Sequence, residues 1–292
     1  MKAFFYDLKR EFKKASIVHK LIYINVLIYI FTEILSVFSF MFQFDIRGLL
    51  NQFYLSANTS TLIKNPWSFF SYMFLHNGFF HLLFNMVWLH FGGKIFLQYL
   101  NSRQLLSTYI IGGFSGGALF ILSYNTIPAF QSIAAEAYAL GASASVFAIM
   151  VAIATYTPNY AVQFPFIGFL KLKHIAIFMV IIDVLSIPNG NAGGHIAHIG
   201  GAIFGYFYIN RLQKGYDLSI NISNLLIRTI NTFKTQKKQE KVFKRSKSDY
   251  EFNNETVKKE RKIDDILEKI ASSGYESLSE EEKNILFSSS KK

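Results

Sequence analysis

Ser143, His198, His81 and Asn85 are polar residues set in strongly apolar sequence, and their types could carry out acyl transfer. Ser143 lies in Leu140-Gly-Ala-Ser-Ala-Ser145, and His198 in Ala197-His-Ile-Gly-Gly201. A histidine hydrogen-bonded to a serine accepts its proton as general base and makes the oxygen a nucleophile. His81 and Asn85 are four apart, so on a helix they share one face. Two aligned donors suit the oxyanion that develops as a carbonyl is attacked. Each residue also has a plainer reading. Ser143 serves equally as a helix-capping or small packing residue, His198 as a hydrogen-bonding group across a bundle, and His81 with Asn85 as an interhelical pair. The Gly-x-Ser is not the nucleophile elbow of α/β hydrolases, because no strand precedes it.

Three further groups need weighing. His195 and His198 are spaced i, i+3, and His81 as a third ligand would make a zinc site conceivable. There is no H-E-x-x-H, and no acidic residue neighbours the pair in sequence, so no metal is assigned. Asp183 is placed to support His198 or His195 as a third member, or to make a structural hydrogen bond. Glu33 is an acid within the first apolar run. Ionisable groups in such runs are functional candidates by default, because burying them in lipid is costly.

The elements that must hold these residues are membrane helices. The chain has 292 residues, of which 51% are hydrophobic and 17% charged; soluble domains carry about 25% charged residues. Most charges sit at the two ends. Apolar runs of spanning length cover roughly 21–42, 81–97, 105–124, 142–157, 170–187 and 195–210. The fourth and sixth are short and rich in small residues, which lets backbones approach closely and places them centrally. Gly201 and Gly205 form a G-x-x-x-G ridge below His198. That ridge would press the sixth helix against the fourth and bring His198 toward Ser143. Gly141 permits a sharp entry into the fourth helix, whose N-terminus offers unpaired N–H groups and a positive dipole end.

Lys and Arg cluster at the N-terminus and in alternate connections: Lys2, Lys9, Arg10, Lys13, Lys14 and Lys20, then Lys94 and Arg103, Lys171 and Lys173, and Arg211 and Lys214. The other connections hold only Arg47 and Lys64. The bias puts both termini in the cytoplasm and the Ser143 end of the bundle outside. Residues 213–262 hold thirteen Lys/Arg and six Asp/Glu. Next to a membrane helix, such a segment sits near anionic lipid or forms a solvated linker; it is not read as a nucleic-acid site. From 263, Ile263, Ile266, Leu267 and Ile270 recur at helical spacing. Gly274 follows as a stop, and Ser279 with Glu282 forms a capping box for a second short helix. The expected organisation is a basic leader at 1–20, a six-span domain at 21–212, a basic linker at 213–262 and a helical hairpin at 263–292. The chain contains no cysteine, which excludes disulfides, thiolate metal sites and cysteine-protease chemistry.

Together, His76-Asn-Gly-Phe-Phe-His81-Leu-Leu-Phe-Asn85, Gly141-Ala-Ser143-Ala and Ala197-His198-Ile-Gly-Gly201-Ala-Ile-Phe-Gly205 closely resemble the rhomboid intramembrane serine proteases over about residues 15–212. The resemblance implies an all-α six-helix rhomboid bundle with a small cytoplasmic helical tail. It implies Ser143 as nucleophile and His198 as base and acid, with no required aspartate and no cofactor. His81, Asn85 and the Ser143 N–H would stabilise the oxyanion. Transmembrane segments of other proteins would be cleaved near the outer face by water from outside. The segment 186–194, with Pro188, Gly190, Gly193 and Gly194, would act as a flexible cap over the site. The tail resembles that of some bacterial rhomboids, implying a bacterial cytoplasmic membrane. A catalytically inactive relative that binds membrane clients is the alternative. Three departures stand out. The motif's last glycine is Ala144, whose methyl would narrow the space beside the nucleophile. The aromatic on the catalytic histidine is Phe147 in place of the commoner Tyr. The Trp-Arg pair often found in the first outer loop is absent from 43–75.

Overall fold

A computed structural model describes residues 10–164, 168–220 and 262–289. The basic leader before residue 10 and most of the linker at 213–262 lie outside the described residues. The chain divides into two compact units, residues 1–233 and 234–292.

The first unit is built on six long helices: α1 (Ile17–Phe42), α2 (Phe79–Tyr99), α3 (Ser102–Thr126), α4 (Ser143–Tyr156), α5 (Leu172–Ser186) and α6 (Ala192–Gln213). They occupy the six apolar runs, with ends shifted by a few residues. Among the described residues, three helical stretches are long and apolar enough to cross a membrane: α1, α3, and α5 with the 3₁₀ turn that extends it to Asn189. Large apolar side chains point outward along the bundle, among them Phe31, Phe40, Phe84 and Phe178, each more than 60% exposed. Water would penalise such a surface; a hydrocarbon surround does not. The chain is a helical membrane protein.

α4 lies at the centre. Ala144–Val146, Ala148–Met150 and Ala152–Ala154 are all buried. α6 wedges between α3 and α4 by close backbone approach. A Cβ on Gly201 would lie 2.0 Å from the Ala144 carbonyl oxygen, and one on Gly205 2.3 Å from that of Ala148. Toward α3, a Cβ on Gly200 would meet the Ser115 carbonyl oxygen at 2.7 Å, and the Ser115 hydroxyl donates to the Gly200 carbonyl at 2.8 Å. These contacts gain dispersion energy only because the side chains are missing.

The connection before α2 contains short helical turns and β1 (Leu55–Ser56), which pairs antiparallel with β2 (Tyr138–Ala139) just before α4. It is pinned by polar groups that lipid cannot satisfy. Tyr72 OH donates to the Gly113 carbonyl at 2.5 Å, and Tyr109 OH to the Met73 carbonyl at 3.0 Å. The buried Asn25 of α1 donates to Tyr109 OH at 3.2 Å. A hairpin of β3 (Ala161–Phe164) and β4 (Gly168–Lys171) joins α4 to α5; the hydropathy pattern gave no sign of it.

The expected flexible cap at 186–194 is corrected in part. Ile187–Asn189 form a 3₁₀ turn and Ala192 already begins α6, so Gly193 and Gly194 are helical. Gly193 is held there by packing, since a Cβ on it would lie 2.7 Å from the Phe120 ring.

The second unit contains α7 (residues 262–273) and α8 (Glu280–Ser289). Ser279 N–H donates to Glu282 Oε2 at 2.7 Å, and Glu282 N–H to Ser279 Oγ at 3.3 Å, which is the reciprocal capping box. Lys269 Nζ bridges the two helices by donating to Glu282.

Candidate active site

The N-terminal ends of α2, α4 and α6 and the C-terminal end of α5 converge on one cavity. Their side chains line this cavity of about 1320 Å³, which holds His81, Asn85, Ser143, Phe147, Asp183, His195 and His198. All four residues predicted to do chemistry are therefore brought together.

Ser143 is the first residue of α4, one position inside the N-cap, which is Ala142. The chain reaches it through Gly141, whose φ of +132° is open to glycine and strained for other residues. Gly141 also has no room for a side chain. A Cβ there would lie 2.9 Å from His81 Nε2 and 3.4 Å from Ser143 Oγ, so it is flanked by the imidazole on one side and the hydroxyl on the other. Gly141 N–H donates to the Tyr72 carbonyl at 2.9 Å, which ties the α4 entry to the segment before α2.

His81 accepts at Nδ1 from the Asn77 backbone N–H at 3.3 Å. That bond assigns the ring proton to Nε2, the nitrogen beside Gly141. His76 packs edge-on against the same ring, with centroids 5.2 Å apart. Asn77 contributes through its backbone N–H, a role that side-chain type does not signal. Asn85 uses one amide N–H on the His81 carbonyl at 2.8 Å, a bond within its own helix that fixes the side chain and leaves a second N–H.

His198 lies six residues into α6, about 9 Å along its axis at 1.5 Å per residue. Its ring stacks on Phe147, with centroids 4.5 Å apart and planes 15° from parallel, so the phenyl ring fills the expected stacking position. Among the described residues, Ser143 and His198 share the cavity without a direct hydrogen bond between them; such bonds are often long before substrate binds. The concern about Ala144 is removed. Its methyl faces Gly116 of α3, 2.5 Å from where a Cβ there would stand, and it does not line the cavity.

Although no acid neighbours His195 and His198 in sequence, α5 supplies one in space. Asp183 is 4% exposed. Its Oδ1 lies 2.5 Å from His195 Nδ1 and 2.9 Å from His198 Nδ1. Among the described residues this is the one group of three metal-ligand types. Tetrahedral zinc ligands at about 2.0–2.1 Å from the ion stand more than 3 Å apart, so the group would have to spread before admitting one. Its present geometry is that of hydrogen bonds.

The cavity opens sideways between α2 and α5. Phe84 and Trp88 line one wall, and Phe178 and Ile182 the other. Phe84, Phe178 and Ile182 are also exposed on the outer apolar surface of the bundle.

Residues 247–292 match a family of unknown function (DUF6576). The chain is 25% identical over 187 residues to RHOMBOID-like protein 12, mitochondrial, of Arabidopsis thaliana, an alignment covering 59% of this chain and 54% of that protein. The chain thus spans about half the length of that relative. Residues 64–214 match the Rhomboid domain. That stretch runs from the loop before α2 to the end of α6, contains all the cavity residues named above and covers just over half of the sequence, and the chain belongs to the rhomboid family.

Proposed function

We propose that this protein is an intramembrane serine endopeptidase that cleaves transmembrane segments of other membrane proteins. Ser143 Oγ attacks the scissile carbonyl carbon, and its proton passes to His198 Nε2. The oxyanion is held by His81 Nε2–H, the free Asn85 N–H and the Ser143 backbone N–H at the positive end of α4. Collapse of the intermediate breaks the C–N bond as His198 returns the proton to the leaving amine. A water deprotonated by the same imidazole then releases the acyl group.

The observation that carries this reading is the shared cavity, with the hydroxyl and the His81 Nε2 flanking one glycine and the His198 ring stacked on Phe147. The sideways opening between α2 and α5 supports a substrate that arrives from lipid as an apolar segment. We read all six helices as crossing the bilayer. The Lys/Arg bias then puts both termini in the cytoplasm and the cavity near the outer face. The choice of a bacterial cytoplasmic membrane rests on the C-terminal segment alone. The basic segment 213–262 would lie against the anionic leaflet on the cytoplasmic side.

A second reading, an inactive member that binds membrane clients, draws on the missing Ser143–His198 hydrogen bond. One experiment separates the two. A tagged single-span protein with small residues near its outer end is co-reconstituted with the wild type, with Ser143→Ala and with His198→Ala. The protease reading expects cleavage by the wild type and none by either variant. Binding without cleavage by all three would establish the client-binding reading, and robust cleavage by Ser143→Ala would sink the mechanism.

A further inference from the structure

We propose that Asp183 is a positioning residue for His198, so that the site works as a serine, a histidine and a shared aspartate. This inference rests on the protease reading of Ser143 and His198. Asp183 comes from a different helix than either. It is almost fully buried at the depth of the cavity, where an ionised carboxylate is costly unless it is matched. What faces it is two imidazole Nδ1 atoms, both on the same oxygen. A carboxylate can only accept, so each ring must present Nδ1–H. The Nδ1–H tautomer leaves Nε2 of His198 with its lone pair, the form needed to take the Ser143 proton. The ring is then constrained twice, in its plane by the Asp183 bond and on its face by Phe147.

The charges balance through the reaction. Before attack, Asp183 is an anion and both rings are neutral. When Ser143 gives its proton to His198, the imidazolium that forms lies directly against the carboxylate. When the proton leaves with the amine, the starting state returns. Asp183 stays ionised throughout, and no ion or co-reactant is needed. His195 accounts for the second contact: its Nδ1–H shares the negative charge in the resting enzyme, when His198 alone would leave it poorly matched.

The test compares wild type, D183N, D183E and S143A in reconstituted full-length protein, reading kcat, KM, melting temperature and the rate constant for fluorophosphonate labelling of Ser143. An amide carries no charge to stabilise the imidazolium, and its NH₂ face selects the wrong tautomer. D183N is expected to lose on the order of 10²–10⁴-fold in kcat with KM within about 3-fold. D183E is expected to recover at least about 10-fold over D183N. The labelling rate constant counts only folded molecules, so it decides the matter even where D183N is isolated in poor yield. It should fall in parallel with kcat. A D183N labelling constant equal to that of wild type overturns the proposal. So does a fall in D183N explained by lost melting temperature with D183E no better, which would mark a structural role. Activity lost in chelator and restored by zinc would overturn it too, by putting an ion where these bonds lie. Wild-type protein without Ser143-dependent cleavage or labelling would instead remove the protease reading, and this inference with it.

Discussion

Gly201→Ala tests whether the α4–α6 contact sets the position of His198, the proposed base. A Cβ at Gly201 would stand 2.0 Å from the Ala144 carbonyl oxygen, 2.8 Å from its carbon and 3.2 Å from its Cα. All three are backbone atoms of the residue beside Ser143, so none can rotate aside. Ordinary contact begins at 3.4 Å, which leaves about 1.4 Å to be found by moving α6 off α4, if the whole displacement is taken there. His198 is nearly one turn from Gly201 on the same helix and moves with it. A misplacement of about 1 Å costs on the order of 10²-fold in rate, and overpacking of this kind costs about 1–3 kcal/mol of stability. The assay is the initial rate of single-span substrate cleavage in liposomes, with Ser143→Ala as the blank, alongside thermal melting of the purified variant. The expected outcome is a folded protein, somewhat less stable, with cleavage reduced about 100-fold. A variant within about 3-fold of wild type in rate, with unchanged melting, would refute the claim that this backbone contact positions the base.

Phe147→Ala removes the ring stacked on His198. An aromatic pair is worth about 0.5–1.5 kcal/mol, so kcat should fall about 2- to 13-fold while Phe147→Tyr keeps wild-type kcat; equal kcat for Phe147→Ala and wild type would count against the stack. Asn85→Ala should weaken cleavage by about 10²–10³-fold, the usual effect of removing one oxyanion donor, and a Ser143-dependent residue of activity should remain measurable. Asp217, just past α6, gives a pH prediction. Burial works against its ionisation, but hydrogen bonds from Ser219, Gln104 and Tyr208 outweigh that and hold its carboxyl below the usual range. A depressed folded-state pKa adds stability that is present above the unfolded value and is lost as pH falls through the folded one. Thermal melting from pH 7 downward should therefore fall less steeply for Asp217→Asn than for wild type, and parallel curves would contradict the assignment.

Helix positions were legible because apolar runs of spanning length leave few alternatives. Their ends were not. α3 begins at Ser102 because Asn101 and Gln104 cap it reciprocally, yet these polar residues read as connection. β1 and β2 are two residues long, too short to show an alternating pattern. The resemblance implies a flexible cap at 186–194; the helical state of Gly193 follows from its close packing on Phe120, which only the assembled bundle reveals. The Gly201–Gly205 ridge could be read from spacing, and it packs on α4 as expected. Asp183 was visible as a lone acid, but its bonds depend on how α5 is rotated against α6, which periodicity does not specify.

The wedge of α6 between α3 and α4 also orders events during synthesis. Ser143 and His198 are 55 positions apart, so at roughly 5–20 residues per second the histidine is made about 3–11 s after the serine. Until then the groove between α3 and α4 is empty and no base faces the hydroxyl. On the mechanism proposed above, a nascent chain is thereby kept chemically inert while its neighbours are other newly made apolar segments. On the same mechanism, this holds for any product cut short before α6.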